Sequence, residues 1–251
     1  MNLSAAVPSD AEEMARECDF PAMQQNPLYR LNFPNSNPND AEAEIQWMIK
    51  GLKESLSNQD MSFWKVCTED GELMGFAGWT LSPSKADQSG KNSAENNCTK
   101  AIPPKSMDIT TSREVTRRFA AEKKRVLQGR EHIWRMKLMK WRINDCWLSL
   151  LGLNLISVKP VFQRMGVGSL LVSWCCQQAD QDGRDIFLIA SSAALRLYKK
   201  FDFKEVGEIE YGGAKFTSML RKRSCRPLPW PCSIALPCCH TMQMPAACLP
   251  S

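Results

Sequence analysis

The sequence predicts an α/β (α+β) fold in a single domain, and three observations lead there. Strand-like and helix-like stretches follow one another along the chain, with apolar residues at period two in some and near period 3.6 in others. The runs 62–68 and 73–80 flank Glu69-Asp70-Gly71, a hairpin pattern with glycine where positive φ is needed. The apolar run 146–158 leads through a proline and a glycine-containing loop into a helix. At 251 residues, 43% hydrophobic and 24% charged, the chain has an ordinary soluble composition and the length for one sizeable core with insertions.

Taken in order, residues 2–7 read as a short strand. Residues 10–17 read as a helix capped by Ser9, with acidic residues in its first turn. The Pro- and Asn-rich stretch 18–39 reads as a loop. Residues 40–56 are amphipathic, with Ile45, Met48, Ile49 and Leu52 on one face. The hairpin strands carry Phe63, Trp64, Val66, Phe76 and Trp79, the aromatic and branched residues that suit a sheet. Residues 82–106 are polar, contain Pro103-Pro104 and read as a disordered excursion.

Thr111-Ser112-Arg113-Glu114 is a capping box, and it opens a basic segment that runs to Arg142. Eleven basic residues there meet three acidic ones, an excess larger than the +5 of the whole chain. Val115, Phe119, Val126, Ile133, Trp134 and Leu138 keep a helical face, which Gly129 weakens. The strand run 146–158, a helix at 168–182, a strand at 186–190, a helix at 192–200 and strands at 204–209 and 216–221 complete the domain. Residues 223–251 hold six prolines, five cysteines and no acid, and read as a disordered tail. The domain therefore spans 1–222, with the polar and then basic helical insertion 81–145 inside it.

No run approaches the ~18 apolar residues of a membrane span, and the first ten residues lack a signal peptide's basic flank and apolar core. The expectation is a cytoplasmic protein, or a nuclear one, with reduced thiols. No pair of CxxC motifs offers a zinc site, so no metal is expected. His132 and His240 read as surface residues.

The segment from Val158 to Ser169 carries the chemistry. A strand ends at Lys159-Pro160, and Gln163-Arg164-Met165-Gly166-Val167-Gly168-Ser169 then enters a helix. Two glycines let backbone N–H groups converge on a ligand, and the helix start adds unsatisfied donors and partial positive charge. Arg164 supplies a full charge and Ser169 a hydroxyl, so the segment suits a pyrophosphate. It is neither a Walker loop nor a GxGxxG fingerprint. The string Val-x-Pro-x-Phe-Gln-Arg-x-Gly-Val-Gly closely resembles the coenzyme A-binding motif of the GNAT-type N-acetyltransferase superfamily. Leu197-Tyr198-Lys199-Lys200-Phe201-Asp202-Phe203 resembles the block that follows that family's fifth strand, with Asp202 in place of the common glycine. The likeness is strongest over 146–222.

The resemblance implies a twisted mixed sheet with helices on both faces, its fourth and fifth strands splayed to admit acetyl-coenzyme A. It implies contacts from Ser157, Val158, residues 163–169 and Ser191, the last standing where many members have asparagine. It implies direct attack by an amine, small-molecule or protein-borne, on the thioester. Backbone N–H groups near Ser157 and Val158 would polarise the carbonyl, and Tyr198 would protonate the departing thiolate. Many members carry a glutamate base on the fourth strand. Residues 146–158 hold no acid, which leaves Asp145 as the nearest candidate base. Residues 152–157 also intervene before the turn, and extra strand residues can change which side chains face the site. Two other readings compete. One is a degenerate acetyltransferase fold that binds coenzyme A or a partner without turnover. The other is a nucleic-acid-binding protein acting through 113–142, where Trp134 and Trp141 interleave with cations.

Overall fold

The computed structural model describes residues 1–59, 61–80, 102–127, 133–135, 140–143, 146–149 and 155–224. The expectations for 82–101 and for 225–251, and the candidates Asp145, His132 and His240, lie outside the described residues.

Strand β1 (Asn2–Ala5) pairs antiparallel with β2 (Met61–Cys67), which forms the expected hairpin with β3 (Leu73–Thr80). Gly71, with φ 90°, turns that hairpin. A continuous helical stretch follows β1: a 3-10 turn (Pro8–Asp10), α1 (Ala11–Glu13), a π-helical segment (Met14–Asp19) and α2 (Phe20–Met23). Next come α3 (Pro27–Asn32) and α4 (Ala41–Leu56).

Two expectations fail here. The first helix is not capped by Ser9; the N–H of Val7 instead donates to the Asp10 carboxylate at 2.8 Å. The stretch 18–39 is largely helical rather than a loop. Pro27 marks a helix beginning, since it follows an Asn26 cap whose side chain accepts the Leu28 N–H at 2.9 Å. Pro21 lacks an N–H and would crowd the carbonyl four residues back in a regular α-helix. The wider π-turn ends just before it, and the Phe20 N–H reaches back to Ala15.

Beyond the hairpin lie α5 (Ile109–Leu127), β4 (Ile133–Arg135), β5 (Lys140–Ile143), β6 (Cys146–Ser149) and β7 (Leu155–Val158). The chain closes with α6 (Val167–Gln181), β8 (Asp185–Ser191), α7 (Leu195–Lys199), β9 (Lys204–Tyr211) and β10 (Ala214–Arg221). The main sheet runs β1-β2-β3-β4-β8-β10-β9, with β7 also on β3. The β4–β8 pair is parallel and the other pairs are antiparallel.

The basic segment is not one helix to Arg142. It ends as a helix at Leu127, and Ile133–Arg135 and Lys140–Ile143 are strands. Lys140–Ile143 alternates basic with aromatic or branched residues, a period-two pattern that also satisfies a loose helical count, and Ile133-Trp134 supplies β4 with a branched and an aromatic residue. Nor is 146–158 a single strand. Gly152 and Asn154 interrupt the apolar run. β6 pairs with β5 in a separate two-stranded sheet, and β7 alone joins the main one.

The register shows what has happened. Arg135 lies opposite Thr80 and Leu155 lies opposite Gly78 on the same edge of β3. β4 and β7 are thus two pieces of one strand position, end to end, with 136–154 inserted between them. The extra residues before the phosphate turn therefore fall upstream of β7 and leave its own alternation intact.

The inner faces of the sheet carry two layers of core. On one face Phe63 and Phe76 pack with Met14, Cys18, Trp47 and Leu52, and Phe187, Ile189 and Phe216 pack with Phe119 of α5. On the other face Trp79, Ile186, Leu188 and Met219 pack with Leu171, Cys175 and Tyr198 of α6 and α7. Each such fully buried side chain contributes about 1.5–3 kcal/mol. Both margins of the domain also differ from expectation. Ser106 is buried and donates to Glu44 at 2.5 Å, so the end of the 82–106 segment is packed. The N–H groups of Arg223 and Ser224 donate to Asp185 and Asp180 at 3.0 and 2.7 Å, so the domain reaches at least Ser224.

Candidate functional site

β7 and β8 do not pair with each other. β4 occupies β8 only at Asp185–Phe187, which leaves Leu188 to Ser191 facing β7 across a slot. A cavity of about 820 Å³ lies there, lined from one helix layer by Ala22 and from the other by Gly168 and Leu197. The slot is therefore open toward both faces of the sheet.

The backbone of β7 is aligned by its pairing with β3. Gly75 permits it: a Cβ there would stand 2.7 Å from the Ser157 carbonyl oxygen. The Lys159 N–H donates to the Met74 carbonyl at 2.9 Å. Hydrogen bonds to a partner strand alternate along an antiparallel pair, so Ser157 is also committed to β3. The N–H groups of Ile156 and Val158 then face the slot. In agreement, the Val158 carbonyl accepts from the Gln163 side chain at 3.2 Å, away from β3.

A 3-10 turn (Pro160–Phe162) carries the chain from β7 toward α6. Arg164 (φ 65°) and Gly166 (φ 92°) both adopt the left-handed region, which turns successive N–H groups inward as an anion-binding nest. Nothing lies within 4 Å of a Cβ built on Gly166, so conformation and not space selects glycine there. Gly166 is the N-cap of α6, and the first helical bond runs from Leu170 N–H to its carbonyl at 2.9 Å. The N–H groups of Val167, Gly168 and Ser169 remain for a ligand. Arg164, Arg196 and Lys200 add three cations to the lining. Lys159 is engaged elsewhere, by Glu72 at 2.7 Å and Glu17 at 3.2 Å.

Of the residues singled out in the sequence, Val158, Gln163, Arg164, Gly166, Gly168, Ser169 and Ser191 line the slot. Met165 is 55% exposed, and the Val167 side chain is buried under the helix start. Ser157 contributes neither side chain nor backbone to the slot. Tyr198 is 1% exposed, stacks edge-on against Phe203 at 5.4 Å, and leaves the slot wall to its neighbour Leu197. Burial, reinforced by the nearby Cys175 and Cys176, pushes its phenol well above the ordinary tyrosine range and holds it protonated.

Four groups went unnoticed in the sequence. Ile156 follows from strand alternation once β7 is located. Arg196 on α7 and Lys200 just past its end are four residues apart, a spacing legible only once that face is known to line the slot. The fourth is Asp19, last residue of the π-segment. It is 1% exposed, and its Oδ1 accepts from the Ser157 hydroxyl at 2.5 Å. Its Oδ2 is buried with no hydrogen-bond partner among the described residues. Burial raises its pKa from 3.8 to about 6, and the Ser157 hydrogen bond opposes that rise. Among the described residues no three His, Cys, Asp or Glu side chains are arranged to hold a metal ion, and no helix is long and apolar enough to cross a membrane.

Residues 142–222 match the model of the acetyltransferase (GNAT) domain. A structure of histone acetyltransferase and related acetyltransferase from Corynebacterium glutamicum superposes with a TM-score of 0.53 at 16% identity. That superposition covers 90% of this chain and 98% of the other, and it shows a shared fold. An N-acetyltransferase from Staphylococcus aureus is similar at 12% identity and a TM-score of 0.48, over 88% of this chain and 100% of its own. No curated protein matches in sequence. Residues 142–222 thus resemble a GNAT-type acetyltransferase domain, and the chain as a whole shares the fold of such acetyltransferases.

Proposed function

We propose that the protein moves an acetyl group from acetyl-coenzyme A to a primary amine, small-molecule or protein-borne, by direct attack while both are bound. The observation that carries this reading is the slot open to both faces, with a phosphate-binding nest at one end. One substrate can enter from the α6 side and the other from the side of α2.

In this reading the pyrophosphate rests on the free N–H groups of Val167, Gly168 and Ser169, with Arg164, Arg196 and Lys200 around it. The pantetheine arm follows β7 past Ser191. The thioester carbonyl accepts from the Val158 or Ile156 N–H, which is fixed in place before reaction and so stabilises the developing oxyanion at little reorganisation cost. Holding amine and thioester together removes much of the entropic barrier. Tyr198 donates the proton that the thiolate needs. Burial keeps the phenol protonated, and its chain neighbour Leu197 lines the slot.

The test is release of free thiol from acetyl-coenzyme A with a panel of alkylamines and lysine-containing peptides. Amine-dependent thiol release is expected. Coenzyme binding without it, for every amine, would leave a coenzyme-binding module instead. The nucleic-acid reading draws less support. Arg117 and Arg118 are both held by Glu114, and Arg125 by Glu122, which engages three of the six basic side chains of α5.

A further inference from the structure

Transfer from an ammonium needs a base, and β7 supplies none. The side chain that meets the requirement lies on the other face of the sheet. Asp19 sits against Ser157, between the two β7 residues that line the slot, Ile156 and Val158. About one helical turn further on, Ala22 forms the slot's rim from the same helical stretch. A methyl group is a low side-chain barrier at that rim, and Asp19, 1% exposed, is not itself among the residues that line the slot. A buried carboxylate oxygen without a donor is costly, and native structures keep such groups where a ligand completes them.

We propose that Asp19 is the general base of the transfer, its unbonded Oδ2 receiving a proton from the acceptor's ammonium at the α2 side of the slot. The inference rests on the acetyl-transfer reading. The ammonium gives one proton to Oδ2. The freed nitrogen lone pair forms the C–N bond to the thioester carbon, and the C–S bond breaks with its electrons on sulfur. The second proton lost by nitrogen is balanced by the one that sulfur gains, and Asp19 returns its own to solvent. A carboxylate titrating near neutrality is well matched to this task.

The neighbouring titratable groups do not compete in that range. Burial pushes the Cys18 thiol up to about 12. Lys159 is held above its ordinary value by Glu72 and Glu17. The acid limb of the rate profile is therefore assigned to Asp19 alone.

The experiment uses the full chain and compares wild type, Asp19→Asn and Ser157→Ala. Asp19→Asn is expected to lower kcat/KM at pH 7 by ~10²–10⁴-fold, to abolish the acid limb, and to leave the Kd for acetyl-coenzyme A within about twofold. Ser157→Ala removes a hydrogen bond that favours the charged carboxylate, so its acid limb should move to higher pH. A purely structural role for either residue would not shift that limb. Unchanged limbs in both variants overturn the proposal. A second readout separates it from the acetyl-transfer reading: calorimetric binding of n-butylamine to the protein saturated with coenzyme A. If wild type proves unable to transfer, amine binding weakened at least tenfold by Asp19→Asn still supports the site. Amine binding indifferent to that change overturns it.

Discussion

On the α6 side of the slot, the groups proposed to meet the coenzyme come mostly from one stretch of chain, 156–169. On the α2 side, Asp19 and Ser157 meet across 138 residues. The first side is a local device. Two positive φ values and a helix start make an anion site wherever that sequence folds into a turn after a strand. The second side exists only when the sheet is assembled, and its key residue carries no motif. The difference predicts that the coenzyme side can be damaged without disturbing the amine side, and the reverse.

The largest effect is expected on the coenzyme side. Gly168→Asp places a carboxylate among the N–H groups at the start of α6. A Cβ there meets Leu197 Cδ2 at 3.4 Å and Val158 Cγ2 at 3.9 Å, both side-chain atoms in tolerable contact, so the side chain fits. An acid in the first helical turn also favours the helix. The fold should therefore persist while the carboxylate occupies and repels the pyrophosphate site. Calorimetry should show acetyl-coenzyme A affinity reduced by at least about 100-fold, a loss near 2.7 kcal/mol. Parental affinity would move the phosphate site elsewhere.

The next effect is on the amine side and needs no substrate. Asp19 has a folded-state pKa of about 6 against an ordinary 3.8. Its folded form holds the proton more tightly than its unfolded form. The stabilisation this gives is complete below pH 3.8 and is lost as pH rises through 6. The difference corresponds to about 3 kcal/mol. Asparagine does not titrate, so Asp19→Asn should gain on wild type by up to that amount between pH 4 and pH 7 in urea unfolding. A constant gap between the two proteins would mean that Asp19 is not buried as an acid.

This contrast also explains what the sequence disclosed. The hairpin around Gly71, the amphipathic α4 and the turn from Val158 to Ser169 are contiguous, and each was legible from spacing and turn chemistry. The helices at Phe20–Met23 and Pro27–Asn32 were hidden because Pro and Asn mark helix starts as well as loops. The strand β5 was hidden because alternating basic and apolar residues fit two periods at once, and β4 because three residues are too few to show a period. Asp19 was invisible for a different reason. Nothing in its local sequence separates a buried acid from a surface one, and only the Pro21-linked π-turn and the register of β7 bring it to Ser157.

A smaller effect probes the boundary between the two sides. Tyr198 belongs to the α6 core yet is proposed to serve the chemistry. Tyr198→Phe keeps the ring and its contact with Phe203 while removing the hydroxyl. The expected result is kcat lowered by about 10- to 100-fold with coenzyme affinity unchanged and stability within ~1 kcal/mol. An unchanged kcat, with chemistry shown to limit the rate, would assign Tyr198 to packing alone.

The smallest effect concerns the scaffold that both sides share, the end of β10 beside α6 and β8. Arg221 is 2% exposed and pairs with both oxygens of Asp180, at 2.8 and 2.7 Å. Asp180 also accepts the Ser224 N–H, while the Arg223 N–H goes to Asp185 and its guanidinium to the Gly183 carbonyl at 2.6 Å. A chain ending at Ser224 keeps all of these bonds and should match the full chain in melting temperature and coenzyme affinity. A chain ending at Lys222 keeps the Arg221–Asp180 pair, loses the three bonds made by Arg223 and Ser224, and sets its terminal carboxylate beside Asp185. Exposed hydrogen bonds of this kind contribute about 0.5–1.5 kcal/mol each, and partial replacement by water leaves a net loss of roughly 1 kcal/mol. For a domain of this size that lowers the melting temperature by about 2–4 °C. Coenzyme affinity should not change, because no slot residue touches this end. Equal melting temperatures for the two truncated chains would place the true end of the domain at Lys222. A fall in coenzyme affinity would show that the slot depends on the β8 base as well as on its rim.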